Sequence, residues 1–311
     1  QNNTIKNISW ADSLTSDWVA IRIISGKIRV GDSVGNTIGS ATGNSSIFLT
    51  YKNTSSLGRS YGIYSSSTDS VFISNNVIGS ITASHLDQRG HNLYGIYRDD
   101  VWDGYTVVSK NRIGSETSIN SLWVSSTVSG GETDDQKVVA VYNGGDGLFS
   151  VQENVIKNIT NSALKLRSAI NSGNLESIGI NVVSGSNHIQ NNTISDIYFS
   201  AGTDPGDVNL QLYPNSAIVT GLKTYSNIIK ENSISNLTNS NTEARSTVIG
   251  IFSESGGFDY GTTSIIDGNF IHSLNTSSII EKSNIIGLKT GPGIGQNIYK
   301  NNIVLLGKNN N

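Results

Sequence analysis

The chain is 311 residues long, with a formal net charge of −3, only 14% charged residues and neither cysteine nor methionine. Its 21 lysines and arginines are scattered rather than gathered into a stripe, which argues against a nucleic-acid partner. No stretch approaches the roughly 18 unbroken apolar residues that membrane insertion would need, and the absence of cysteine excludes a disulfide framework, a thiolate metal site and a cysteine nucleophile.

Asn, Ser, Thr and Gly supply the polar surface that charged residues, typically about 25% of a soluble domain, would otherwise supply. A chain without methionine carries no initiator, as a processed product would not. Loss of both oxidisable sulfur residues suits an oxidising environment, so an extracellular or cell-surface location is expected.

Taken in chain order, one motif recurs: an Asn, any residue, then an aliphatic residue. It reads NNTIKNI at Asn3, GNTIGS at Asn36, NNVIGSI at Asn76, KNRIGS at Asn111 and ENVIKNI at Asn154. It continues as NNTISDI at Asn192, ENSISNL at Asn232, GNFIHSL at Asn269 and KNNIVLL at Asn302. Successive spacings are 33, 40, 35, 43, 38, 40, 37 and 33 residues. Between these markers falls an apolar-Gly-apolar segment: YGIY at Gly62 and Gly95, IGI at Gly179, TGL at Gly221, IGI at Gly250 and IGL at Gly287. Two unrelated signals share one period, the signature of a repeat array.

The apolar residues form short alternating runs rich in Ile and Val, which is strand periodicity, and helical stripes are missing. Gly, Asn and Ser punctuate every run, as tight corners require. Each repeat is therefore expected to be one coil of strands and turns. A coil of 37 residues, the spacing from Asn232 to Asn269, would have an extended perimeter of about 120 Å, too wide for side chains to fill. Part of each coil must bulge outward, and the polar segments 82–93, 115–137, 160–177, 197–216 and 238–247 are expected to project from one edge. Stacked at about 4.8 Å, eight coils make a rod roughly 38 Å long. The marker asparagines would then form a column whose amides hydrogen-bond from coil to coil.

These repeats resemble the bacterial right-handed parallel β-helix repeat proteins, the pectate-lyase-like superfamily, over essentially the whole chain. The Asn-rich repeats with Gly-Ile strands look most like large secreted surface proteins of the Bacteroidota type, often exported by a type IX system. The resemblance implies an all-β, single-stranded solenoid of about eight to nine coils, one continuous domain over residues 1–311. Neither end offers an evident polar cap, so a segment of a longer chain is expected. The same fold hosts pectate lyases, polygalacturonases, alginate lyases, tailspikes and adhesins, so it does not decide function.

The densest chemistry-bearing stretch runs from Ser84 to Tyr105 and holds His85, Asp87, Arg89, His91, Arg98, Asp99, Asp100, Trp102, Asp103 and Tyr105. Asp103 precedes Asn111 by eight residues and Asp146 precedes Asn154 by eight. Stacking would set the two carboxylates on adjacent coils about 5 Å apart. Such a pair could hold Ca²⁺ or serve as acid and base on a glycan. No third acid stands in register, since Thr68 and Ser184 occupy the flanking coils. By resemblance to β-helix lyases, an enzymatic set would be Arg98, Asp103 and Asp146. A ligand-binding set would be Asp99, Asp100, Trp102, Asp103, Tyr105 and Asp146. Trp102, Tyr105, Phe149, Phe258 and Tyr260 would either stack on sugar faces or fold over the coil edge to cover the core. The four histidines, 85, 91, 188 and 272, show no zinc-ligand or triad spacing. Apart from Ca²⁺, no cofactor is implied.

The residues thus lead to an adhesin-like or scaffold segment contacting polysaccharide or neighbouring protein chains through its edge loops. A polysaccharide lyase or glycoside hydrolase, and a filament-forming structural protein, are the alternatives.

Overall fold

The computed structural model describes residues 1–14, 16–52, 57–86, 90–99, 101–126, 136–163, 175–201, 217–225, 227–240, 246–254, 263–277, 283–291 and 296–306. These form a right-handed parallel β-helix. Every strand pairing is parallel, and the strands assemble into three sheets that run the length of the stack. One winding shows the path. Ser70–Ser74 lies in the third sheet; Val77–Gly79 and Ile81–His85 follow in the first, His91–Arg98 in the second, and Tyr105–Ser109 returns to the third one coil on.

The register repeats in the way the markers require. Ile78 pairs with Ile38 and Ile113, Ile63 with Ile96, and Ile73 with Val108, so each inward column is a stack of like β-branched side chains. All seven of these residues are at most 1% exposed. Alternation within each strand sends its intervening residues outward, which produces the short apolar runs of the sequence.

At the corner between the third and first sheets the asparagine ladder is present and unbroken. Each marker amide donates to Oδ1 of the next, from Asn3 to Asn302, at 2.9–3.0 Å. That same Oδ1 also accepts the backbone N–H of the marker below. The second amide hydrogen reaches a strand carbonyl, as from Asn111 to Ile73 and Asn154 to Val108. Burying an amide costs little when every donor is matched. The sharp corner is made by the residue before the marker, which has a left-handed φ at Asn75 (58°), Lys110 (56°), Glu153 (55°), Asn191 (56°), Glu231 (54°) and Gly268 (64°). The ladder holds even non-glycine residues there, against a cost of about 1–3 kcal/mol each.

The Gly-Ile pair of the second motif faces inward together, leaving the residues on either side pointing out. A Cβ on Gly95 would come within 2.6 Å of the Ala140 carbonyl oxygen and 2.9 Å of Ile113 Cγ2. The glycine is there because the inward Ile column fills the space a side chain would need.

The described parts of these polar segments belong to the sheets. Residues 82–85 and 91–93 lie in strands: Ile81–His85 is a fully buried strand of the first sheet and His91–Arg98 belongs to the second. The other four segments likewise overlap strands, such as Leu122–Ser126, Val155–Ala163 and Thr193–Ala201. Small polar side chains such as Thr82, Ser84 and Asn161 are buried among their neighbours, so polarity alone did not mark an exposed loop. The centres of those segments, 87–89, 127–135, 164–174, 202–216 and 241–245, lie outside the described residues.

Candidate functional site

The turn between the second and third sheets holds most of the residues singled out above. Arg98 closes its strand with its side chain pointing inward and is 0% exposed. Its Nη1 donates to Asn143 Oδ1 at 3.1 Å and its Nη2 to the Asp103 carbonyl at 2.8 Å. Burial lowers the pKa of Arg98, while the charges of Asp146 and Asp103 oppose that effect. Tyr105 pairs with Leu148, two residues beyond Asp103 and Asp146 respectively, so the two acids do occupy equal positions on adjacent coils. Both are exposed. Asp103 Oδ1 accepts the Gly104 N–H at 2.8 Å, and Asp146 Oδ1 accepts the hydroxyl of Ser184, the next residue in that column.

Arg98, Asp103 and Asp146 are therefore brought together, but as a buried cation tying down its own turn, with two counter-charges outside. Among the described residues no three His, Asp or Glu side chains converge as a metal site would require. Trp102 is 87% exposed, whereas Phe149 is fully buried in the core and Tyr105 lies edge-on to Phe72 with centroids 5.9 Å apart. Asp87, Arg89, Asp100, Phe258 and Tyr260 lie outside the described residues.

Asp99 belongs elsewhere. It lines a cleft of about 130 Å³ on the outer face of the second sheet, together with Asp17, Val19, Arg22, Arg59, Tyr61, Tyr64 and Tyr97. The two YGIY segments build its floor. With Gly and Ile turned inward, the tyrosines on either side point out and pile up from coil to coil. Tyr61 stacks on Tyr94 at 5.4 Å, Tyr64 on Tyr97 at 5.6 Å and Tyr97 on Tyr142 at 4.7 Å, with planes within 10°. The two columns meet edge to face, as between Tyr61 and Tyr97 at 5.0 Å. Both arrangements are favoured by the ring quadrupole.

Tyr61 is buried in this stack, while Tyr64 and Tyr97 stay partly exposed. Arg22 lies 5.3 Å over the Tyr64 ring, and the Tyr64 hydroxyl donates to Asp99 Oδ2. Burial, then Asp99 as acceptor and as charge, pushes the Tyr64 phenol up to about 12. Burial also raises the carboxyl of Asp17, with Arg59 and Arg22 pulling the other way. The result is a small concavity with fixed phenols, two guanidinium groups and two carboxylates. Sequence reading passed over this cleft because its residues come from three coils at unequal distances from the markers. Their common position is visible only relative to the glycine of the second motif.

Behind the cleft wall lies a polar pocket in the core. His91 and His85 are both 0% exposed. His91 Nε2 is 3.0 Å from Ser60 Oγ, which is 2.9 Å from the Tyr51 hydroxyl, and that hydroxyl donates to the Arg59 carbonyl at 2.8 Å. The Tyr51 ring centroid is 4.3 Å from that of His91 and 6.4 Å from that of His85. Two histidines expected in a polar insertion thus belong to the interior.

No protein-family model, curated protein or solved structure matches this chain.

Proposed function

We propose that this chain is a non-enzymatic solenoid, secreted or held at the cell surface, that binds polysaccharide at the tyrosine-lined cleft of its second sheet. The observation that carries this reading is the cleft itself. Sugar hydroxyls donate and accept at once, and the cleft offers donors from Arg22 and Arg59, acceptors from Asp17 and Asp99, and phenols that do both. Stacking fixes the phenols, and Arg22 and Asp99 are both engaged with Tyr64, so these groups lose little side-chain freedom on binding. The repeat pattern supports kinship with the secreted β-helix surface proteins of the pectate-lyase-like superfamily.

A glycan array followed by calorimetry tests it. An array-selected polysaccharide should lose at least tenfold in affinity with Arg59→Ala, corresponding to about 1.4 kcal/mol. Trp102→Ala, outside the cleft, should change affinity less than twofold. An array without a hit, or the opposite order of the two variants, would overturn the assignment.

A further inference from the structure

We propose that the tyrosine stack is an oxidative cross-linking site, where an external one-electron oxidant joins Tyr97 to Tyr142 and so ties two successive coils covalently. The chain contains no cysteine or methionine, so the side chains that normally absorb oxidising equivalents are missing and phenols and indoles must take them. Of its 12 tyrosines, five form one cluster in which each ring lies within 5.6 Å of another, centroid to centroid. Such spacing lets an electron vacancy created on one ring be filled from the next.

Tyr64 is the point of entry. Removing an electron from a phenol makes it a strong acid, and oxidation is easiest where a base already holds the proton. The Tyr64 hydroxyl donates to the Asp99 carboxylate, which takes that proton as the electron leaves. The Arg22 guanidinium over the Tyr64 ring disfavours a positively charged ring there and so favours the neutral radical. Tyr97 then gives up an electron and its proton, restoring Tyr64. Tyr97 and Tyr142 are paired in register, and at 4.7 Å and 7° they are the closest parallel rings of the cluster.

A second oxidation makes the second radical, on Tyr142. The two unpaired electrons form a carbon–carbon bond between ring positions adjacent to the oxygens. Each of those carbons releases its hydrogen as a proton while each ring oxygen takes one up, and both rings become aromatic phenols again. The net change is loss of two electrons and two protons, which with hydrogen peroxide as oxidant reduces one peroxide to two waters.

The test treats dilute monomeric protein with hydrogen peroxide and a haem peroxidase, then maps peptides for a pair lacking two hydrogens. The Tyr97–Tyr142 pair should dominate and should vanish in Tyr142→Phe. Asp99→Asn should slow its formation at least threefold. Oxidation of Tyr198 should be unchanged by Asp99→Asn; its hydroxyl is 3.5 Å from the Asp196 carboxylate, but it has no ring partner among the described residues. Thermal melts of both variants check that each keeps the fold. Cross-links spread over tyrosines outside the cluster, or an Asp99→Asn protein reacting at the original rate, would overturn the proposal.

Discussion

The amide of Asn154 donates to Oδ1 of Asn192 at 3.0 Å, and the same oxygen accepts the backbone N–H of Asn154, also at 3.0 Å. One side-chain atom thus satisfies two buried donors of the coil below. Asn192 in turn donates to Asn232 Oδ1 and to the Val151 carbonyl. Asn192→Leu would strand both donors of Asn154 in a dry corner. At about 1–3 kcal/mol for each unsatisfied buried group, the loss should reach about 2–5 kcal/mol in urea denaturation. The exposed residue Thr117, mutated to Ala, serves as comparison and should cost under about 1 kcal/mol. Equal losses would mean that the ladder sets register without contributing stability.

The glycine column makes a steric prediction of opposite character. A Cβ on Gly221 would lie 2.5 Å from Ile234 Cγ2 and 2.8 Å from the Gly250 carbonyl oxygen. In Gly221→Ala the backbones of adjacent coils must separate, at a cost of about 1–3 kcal/mol from overpacking. Pairing Gly221→Ala with Ile234→Ala, which removes the clashing Cγ2, should cost less than the sum of the two single losses. Strictly additive losses would show that backbone contact alone sets the penalty.

Buried His91 makes stability depend on pH. Burial, and secondarily the charge of His85, hold its pKa well below the usual histidine value. Above about pH 6.5 both folded and unfolded chains are neutral at this position and the fold is at full strength. As pH falls below that value the unfolded chain takes up a proton that the folded chain refuses. Stability then declines, approaching about 1.4 kcal/mol per pH unit, until the folded pKa is reached. His91→Gln should flatten the slope of urea midpoint against pH between 7 and 5.5, above the main carboxylate range. A slope that survives the substitution would move the effect to another group.

The fold could be read from residues because its two markers obey local constraints. Asn is required where an amide must bridge coils, and Gly where Ile113 or Ile234 closes on the backbone of the neighbouring strand. Each constraint involves only the neighbouring coil, so the same residue type returns once per repeat. The cleft was harder to see, because Asp17, Arg59 and Asp99 meet only after turns of different length have been folded back. The burial of Arg98 was hidden for a related reason. Sequence gives an arginine's position in a strand, but Gly-Ile breaks simple alternation in the second sheet, and with it the assignment of faces to the residues that follow. His85 and His91 were misplaced because the corner of this solenoid accepts polar side chains that hydrogen-bond to one another.

Arg98 supplies the last prediction. Its guanidinium is held by Asn143 Oδ1 and the Asp103 carbonyl, with Asp103 and Asp146 as outer counter-charges. If that set is structural, Arg98→Ala leaves a cavity and an untethered turn, and should destabilise the fold by about 2–4 kcal/mol. Arg98→Lys should recover little, because an ammonium group cannot span both acceptors in the planar geometry a guanidinium offers. On a panel of uronic-acid polysaccharides, followed by absorbance of unsaturated products, the unaltered protein should show no turnover. Turnover that disappears in Asp103→Asn while the melting temperature holds would mean that the exposed acids act on substrate, and that Arg98 positions them rather than merely anchoring the turn.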